Sequence, residues 1–457
     1  MSHLSSETFG ENAKAALADV QLRGALRHAT SLFGKRRLEA ARGLENWEEL
    51  RTRARAIKDE VLLNLDRYLE TFVANAEQRG AVVHWAPDAA EANRIICDLS
   101  RARNARTIVK SKSMTTEETR LNAALEAAGM QVVETDLGEY IIQLAHETPS
   151  HIIAPAIHKT KRQVAELFTA ALGMPPTDDV AQLTSTARAT LRDRFATADV
   201  GISGVNFGVA ETGTIVIVEN EGNIRLTTSV PRLHIAVMGI EKVIPRFADL
   251  DLFLKLLPRS GTGQKMSTYQ SFITGVKRNA DDEGPEELHI VLLDNGRSRM
   301  LAHPVTRQSL ACIRCGACLN ACPVYQQIGG HAYGSVYPGP IGAVITPQLI
   351  GLEKAAQLPY ASSLCGACRD VCPVKIDIPR LLLHLRSEIA PRQGSVAERL
   401  AFKLWTRVML SPALYRMGSL AARMIQKVLP LPRAWTNARD LRSIERQSFR
   451  EWWQINE

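Results

Sequence analysis

The chain has 457 residues, 45% of them hydrophobic and 23% charged, with a formal net charge of +8. This length is too great for one compact core and suits two or three domains. No run of about 18 apolar residues offers a membrane-spanning helix, and the opening MSHLSSETFGENAKAAL lacks the basic start and apolar core of a secretory signal, so a cytoplasmic address is expected. From Pro391 to Glu457 twelve Lys/Arg stand against five Asp/Glu, so +7 of the excess lies in the tail. That argues against a basic body wrapped around nucleic acid, and for a local contact with an acidic partner or an anionic membrane surface.

Residues 1–79 are expected to be helical; Val61, Leu62, Leu65 and Leu69 recur at roughly helical spacing. Strands and helices then alternate. Ala81–Trp85 reads as a strand, Ala89–Ser100 as a helix, Thr107–Lys110 as a strand and Thr115–Ala128 as a helix. Val132–Thr135 and His151–Pro155 read as strands, followed by a helix over Lys161–Leu172. Such alternation predicts an α/β domain with a mainly parallel sheet. Val200–Val209, Thr214–Glu219 and Ile224–Thr227 read as strands, with a hairpin turn over Glu219–Asn223. Leu233–Met238 and His289–Leu293 complete a domain placed at 80–297, with 279–285 as an exposed loop. A cysteine-bearing segment is expected at 298–390 and a basic helical region at 391–457, where Ser395-x-x-Glu398 forms a capping box.

Seven of the eight cysteines lie between 312 and 372; Cys97 stands apart and reads as a core residue. Cys312-x2-Cys315-x2-Cys318-x3-Cys322-Pro323 is the bacterial ferredoxin run, in which three thiolates wrap one cluster and the fourth reaches another. Zinc or bare structural cysteines are the competing readings. The second motif has Ser362 where its first cysteine belongs, followed by Cys365, Cys368, Cys372 and Pro373. Crossed wiring predicts two iron–sulfur clusters. A [4Fe–4S] cluster takes Cys312, Cys315, Cys318 and Cys372; a second takes Cys322, Cys365 and Cys368. The second is [3Fe–4S], or [4Fe–4S] with a non-cysteine ligand such as Ser362, or absent. Gly316 and Gly366 are expected to keep the backbone close to the sulfides.

Two further sites are candidates. Lys112 and Ser113 follow strand Thr107–Lys110, and Thr115-x-x-Glu118 reads as a capping box, so the turn could dock an anionic carboxylate. An ordinary capped helix with a solvated lysine is the plainer reading. Glu211 and Thr212 lie between two strands, where Glu211 could act as acid or base and Gly213 serves the turn. In the tail, Arg399, Lys403 and Arg407 share a helix face beside Leu400, Leu404 and Val408, and Trp405, Trp435, Trp452 and Trp453 are potential anchors.

The cysteine stretches CIRCGACLNACPVY and SLCGACRDVCPVKIDIP resemble those of the lactate-utilisation protein B family. VKSKSMTTEE, ISGVNFGVAETGTIVIVENEGNIRLTTSVPRLHIAVMGIEKVIP and SGTGQK resemble its LUD domain, and the resemblance runs from about residue 65 to the end. A serine at position 362 is typical of that family. The resemblance implies an α/β LUD domain of the isomerase/CoA-transferase type, a helical ferredoxin-type two-cluster domain and a helical tail. It also implies electron transfer in the oxidation of L-lactate to pyruvate, with two companion subunits. Quinone-linked acceptance at a membrane surface is compatible with the tail. The alternatives are a catalyst binding lactate in the LUD cleft, or a redox-responsive scaffold. No G-x-G-x-x-G after a strand supports a self-contained dinucleotide dehydrogenase.

Overall fold

The computed structural model describes residues 5–279, 281–393, 396–426, 444–445 and 447–457. In chain order its strands are β1 (Ala81–Ala86), β2 (Thr107–Lys110), β3 (Gln131–Glu134), β4 (Val200–Gly204), β5 (Phe207–Val209), β6 (Thr214–Glu219), β7 (Leu233–Gly239), β8 (Val243–Ile244), β9 (Tyr269–Ile273) and β10 (Glu287–Leu293). Six form a parallel sheet in the order β1-β10-β7-β4-β2-β3. Every residue of β7 is buried, as the central strand of a sheet covered on both faces requires. The other sheet, β8-β5-β6-β9, mixes parallel and antiparallel pairs.

From β2 the chain steps outward to β3 and then back to β4 on the other side of β2. Side-chain sites in open α/β sheets gather outside the carboxyl ends of the strands at such a reversal.

Several expectations need correction. Ile224–Thr227 is not a strand but part of a helix, Asn223–Ser229, and Glu219–Asn223 is no hairpin turn. The Glu219 carboxylate accepts the N–H groups of Ile224 and Arg225 at 2.7 and 2.9 Å, holding that helix start. His151–Pro155 is not a strand: His151 Nδ1 accepts the N–H groups of Ile153 and Ala154 and bends the chain. Thr115–Ala128 is two helices, Met114–Thr119 and Leu121–Ala127, broken where Arg120 takes φ 55°. The cap of the first is Ser113, whose Oγ accepts from Thr116 N, so Thr115 and Glu118 form no capping box. Val200–Val209 is split between β4 and β5, one in each sheet.

Residues up to Ser387 form one compact unit and Glu388–Glu457 a second. Within the first, the segments expected as 1–79, 80–297 and 298–390 share a core that joins Leu26 and Leu50, Phe207 and Phe253, and Cys315, Cys318 and Leu381. The helices Val20–Arg42 and Trp47–Leu63 reach the second cysteine motif directly. Arg37 donates to Val371 O, and Arg51 donates to Asp370 O and Cys372 O. The second unit contains the helices Val396–Leu410, Pro412–Ile425 and Phe449–Asn456, none with a buried residue. Ser395 and Trp435 lie outside the described residues. No helix among the described residues is long and apolar enough to cross a membrane.

Candidate functional site

The two cysteine motifs repeat one backbone design. Arg314 and Leu364 take φ 59° and 57°, and Gly316 and Gly366 take φ 73° and 87°. Each glycine opens a one-turn helix, Ala317–Asn320 and Ala367–Asp370. Left-handed residues on either side of a cysteine turn successive N–H groups toward one point, the geometry of an anion-binding nest. A Cβ on Gly316 would stand 3.1 Å from the His151 ring, so this loop also needs a glycine for space.

The sulfurs collect those N–H groups. Cys312 Sγ accepts from Arg314 N at 3.4 Å and Cys372 Sγ from Ile376 N at 3.3 Å. In the second motif Ser362 Oγ accepts from Leu364 N at 3.1 Å, the same bond that Cys312 makes in the first. Ser362 therefore occupies the structural position of the absent cysteine.

The thiols lie within reach of one another's charge. Cys315 and Cys318 each feel Cys312 and Cys372, and Cys318 feels Cys368 as well. Cys368 feels Cys322 and Cys365, and Cys322 feels Cys365. Burial pushes Cys368 up to about 12 and Cys372 up to about 11, and raises Cys315, Cys318 and Cys322 too. A buried thiolate needs a positive counterpart, which a bound metal centre supplies. Cys365 is exposed, and the Ala367 N–H lowers its pKa. This donor set of buried sulfurs ringed by N–H groups fits iron–sulfur ligation.

A cavity of about 260 Å³ opens at the sheet reversal. Lys112 and Ser113 after β2, Gly204–Asn206 after β4, Lys242 after β7, and Arg314 and Cys315 of the first motif line it. A Cβ on Gly204 would stand 2.6 Å from Ser113 Cβ, so this glycine lets the β2 loop close over β4. Glu211 and Thr212 are elsewhere. Glu211 is exposed on the turn between β5 and β6, with its Oε2 accepting from Phe247 N at 2.8 Å. A Cβ on the adjoining Gly213, at φ 68°, would stand 2.3 Å from Ala76 N, so a glycine lets this turn pack against the Leu65–Gln78 helix.

Behind the cavity runs a buried ionic chain that sequence reasoning missed. Arg297 holds Glu118 with two hydrogen bonds of 2.9 Å and Glu241 with one of 2.6 Å. Tyr337 donates to Glu118 at 2.6 Å. Arg314 stacks 4.5 Å over Tyr337 and lies 3.6 Å from Glu241. Burial alone would raise the Glu241 carboxyl, but Arg297, Lys242 and Arg314 outweigh it and hold it at about 2. Burial lowers Lys58 and Lys242 to about 8 against the pull of Glu241. The only sequence signal was the charged pair Glu241-Lys242 inside an otherwise apolar run.

Comparison with known proteins agrees with this layout. Residues 69–293 match the LUD domain, 308–376 a 4Fe-4S dicluster domain, and 386–457 the lactate utilisation protein B C-terminal domain. Lactate utilization protein B of Bacillus licheniformis is 44% identical, covering 99% of this chain and 97% of its own. That of Anoxybacillus flavithermus is 45% identical, with 97% of each chain covered. That of Bacillus subtilis is 43% identical, covering 98% of this chain and 96% of its own. A DUF162 family crystal structure from Deinococcus radiodurans, 14% identical, aligns over 50% of this chain and 98% of its own at a TM-score of 0.29, too low to bear on the fold. With its LUD domain, its 4Fe-4S dicluster domain and near-complete coverage at this identity, the chain belongs to the lactate utilization protein B family.

Proposed function

We propose that this chain is an iron–sulfur electron-transfer subunit in the oxidation of L-lactate to pyruvate, acting with companion lactate-utilisation proteins. The observation that carries the reading is the gathering of seven cysteines from two matching loops, with N–H groups donating to Cys312 and Cys372, in the stretch that matches a 4Fe-4S dicluster domain. Cys318 also feels Cys368, so the loops neighbour one another as a relay requires. The substrate comes from the relatives, which are named for lactate utilization.

Cys312, Cys315, Cys318 and Cys372 would hold a [4Fe–4S] cluster. Cys322, Cys365 and Cys368 would hold the second, with Ser362 standing where the other motif has a cysteine. A single zinc ion suits these residues less well. Its bonds of about 2.3 Å would draw four sulfurs to roughly 3.8 Å from one another, whereas the tight three-ligand groupings among the described residues, within 4.8 Å, contain no cysteine. When bound, iron–sulfur clusters take up and release single electrons. The chain's own part is to bury the first cluster beneath Arg37 and Arg51, aim N–H groups at the sulfurs, and keep the two groups adjacent.

The test is anaerobic purification followed by EPR and a lactate assay with an artificial acceptor. Reduction of the clusters by lactate only when companion proteins are present supports the relay. Turnover by the isolated chain overturns it in favour of a catalyst with lactate in the LUD cleft. Cys372→Ser is expected to abolish the four-cysteine cluster's signal and spare the other; the reverse loss refutes the crossed assignment.

The tail is read as a lipid-facing element. Leu400, Leu404, Trp405, Leu414 and Met424 are all exposed on its helices, in a region that carries nearly all of the chain's excess positive charge. Apolar faces beside Lys and Arg suit an anionic bilayer surface, where a quinone-linked acceptor would be within reach.

A further inference from the structure

A long connection of the sheet domain meets the linker between the cysteine motifs at a cluster of metal-binding side chains. Residues 145–160 join the helices Leu137–Leu144 and Lys161–Leu172 without a helix or strand of their own, a length at which loops usually carry function. Glu147 and His158 stand near the two ends of this connection, and His331 opens the short helix His331–Tyr333 between Cys322 and Ser362. Close contacts hold the two segments in register. Tyr325 Oη donates to Ser150 O at 2.7 Å, and Gly330 N donates to Ser150 Oγ at 3.2 Å. A Cβ on Gly330 would stand 1.8 Å from Ser150 O, so a glycine is needed for the approach.

One donor atom from each of Glu147, His158 and His331 lies within 4.8 Å of the others, and the two imidazole centroids are 4.5 Å apart. An oxygen orients each ring. His158 Nε2 donates to Glu147 Oε2 at 2.6 Å, and His331 Nε2 donates to Thr148 O at 2.7 Å. In a neutral ring a proton on Nε2 leaves a lone pair on Nδ1. The His158 side chain is only 9% exposed, and its Nδ1 is buried with no hydrogen-bond partner. A buried polar atom without a partner is costly, and a bound ion removes that cost. Lys159 takes Glu147 Oε1 and leaves Oε2 directed at His158. We propose that Glu147, His158 and His331 bind one divalent transition-metal ion. Imidazole nitrogens with a carboxylate are the ligands that zinc and its first-row neighbours take. Bonds of about 2.0–2.1 Å put tetrahedral ligands roughly 3.3 Å apart. Atoms already within 4.8 Å therefore need approach by no more than about 1.5 Å. The fourth position falls to water, and the ion pins the 145–160 connection to the linker between the cysteine motifs.

The test is anaerobic equilibrium dialysis of the full-length, cluster-loaded protein against zinc, followed by X-ray absorption at the zinc edge. One zinc per chain is expected in addition to the cluster iron. Its first shell should hold nitrogen and oxygen at about 2.0–2.1 Å and no sulfur at about 2.3 Å. His331→Ala is expected to weaken zinc binding by about a hundredfold or more while iron content stays the same, since even the partners behind metal ligands are worth about 10–100-fold in affinity. Glu147→Gln serves as a second variant should His331→Ala lose its iron, and is expected to weaken binding in the same direction. No zinc retained by wild type, sulfur in the zinc shell, or equal zinc affinity in wild type and Glu147→Gln would overturn the proposal.

Discussion

Ser362 sits where Cys312 sits in the other motif, and the two side chains accept the same N–H two residues on. Ser362→Cys is therefore expected to place a fourth sulfur at the second cluster. Its EPR signature should change while that of the first cluster stays the same; identical spectra would mean that position 362 does not face the cluster. A second residue tests the sheet. His234 is fully buried in β7, with Nε2 2.7 Å from Ser203 Oγ, and burial lowers its pKa from 6.5 to about 3. Below pH 6.5 the unfolded chain takes up a proton that the folded chain refuses. His234 thus contributes stability above that pH that fades as pH falls toward 3, by about 1.4 kcal/mol per pH unit. The urea-unfolding advantage of wild type over His234→Gln should shrink between pH 6.5 and pH 5; a constant difference would show that His234 is protonated in the fold. Residue-level legibility was uneven for a physical reason. Cysteine spacing runs along a few residues, so the sequence offers an assignment for all seven. Lys242 and Arg37 matter through approaches across the fold, from β7's end and the N-terminal helices to the cysteine loops, and no local pattern reports these.

Among the elements, β2 and the Lys161–Leu172 helix fall where periodicity placed them, because each carries an unambiguous pattern with clear stops. Ile224–Thr227 reads as a strand yet lies in the helix Asn223–Ser229, because its short apolar and β-branched run fits either period. What decides it is the distant-looking Glu219, whose carboxylate supplies two acceptors to the helix start. The tail helices were legible from charge and apolar spacing alone, and the structure shows Leu400, Leu404 and Trp405 each more than half exposed. The lipid reading has a direct check. Full-length protein should co-sediment with vesicles rich in anionic lipid and not with zwitterionic ones. Added salt should weaken the association, since the Debye length shortens to about 3 Å at 1 M. Leu404→Glu should weaken it at any salt concentration. Failure to bind anionic vesicles, with the tail instead retained on a companion protein, would reassign the face to protein docking.

At the scale of the molecule, the sequence suggested three consecutive segments before the tail, and the structure joins them in one unit ending at Ser387. The joint is ionic as well as apolar. Arg297 follows β10, Glu118 belongs to the helix after β2, Glu241 follows β7, and Arg314 lies between two cysteines of the first motif. A short chain of contacts therefore ties the sheet to the cluster loop. Arg297 is the center of it: its side chain is 2% exposed, between carboxylates that are 6% and 1% exposed. Removing one member of a buried ionic set leaves the rest uncompensated, at a cost of about 3–5 kcal/mol. Arg297→Met should lower the unfolding free energy by that amount in anaerobic denaturant titrations. It should also disturb the first cluster's EPR signal, because Glu241 is then left to Arg314, Lys242 and Lys58. Arg297→Met combined with Glu118→Gln and Glu241→Gln should recover part of the loss, since no buried carboxylate is then left without its guanidinium. If the single variant were as stable as wild type with an unaltered cluster signal, the LUD sheet and the cluster loop would be neighbours without being coupled.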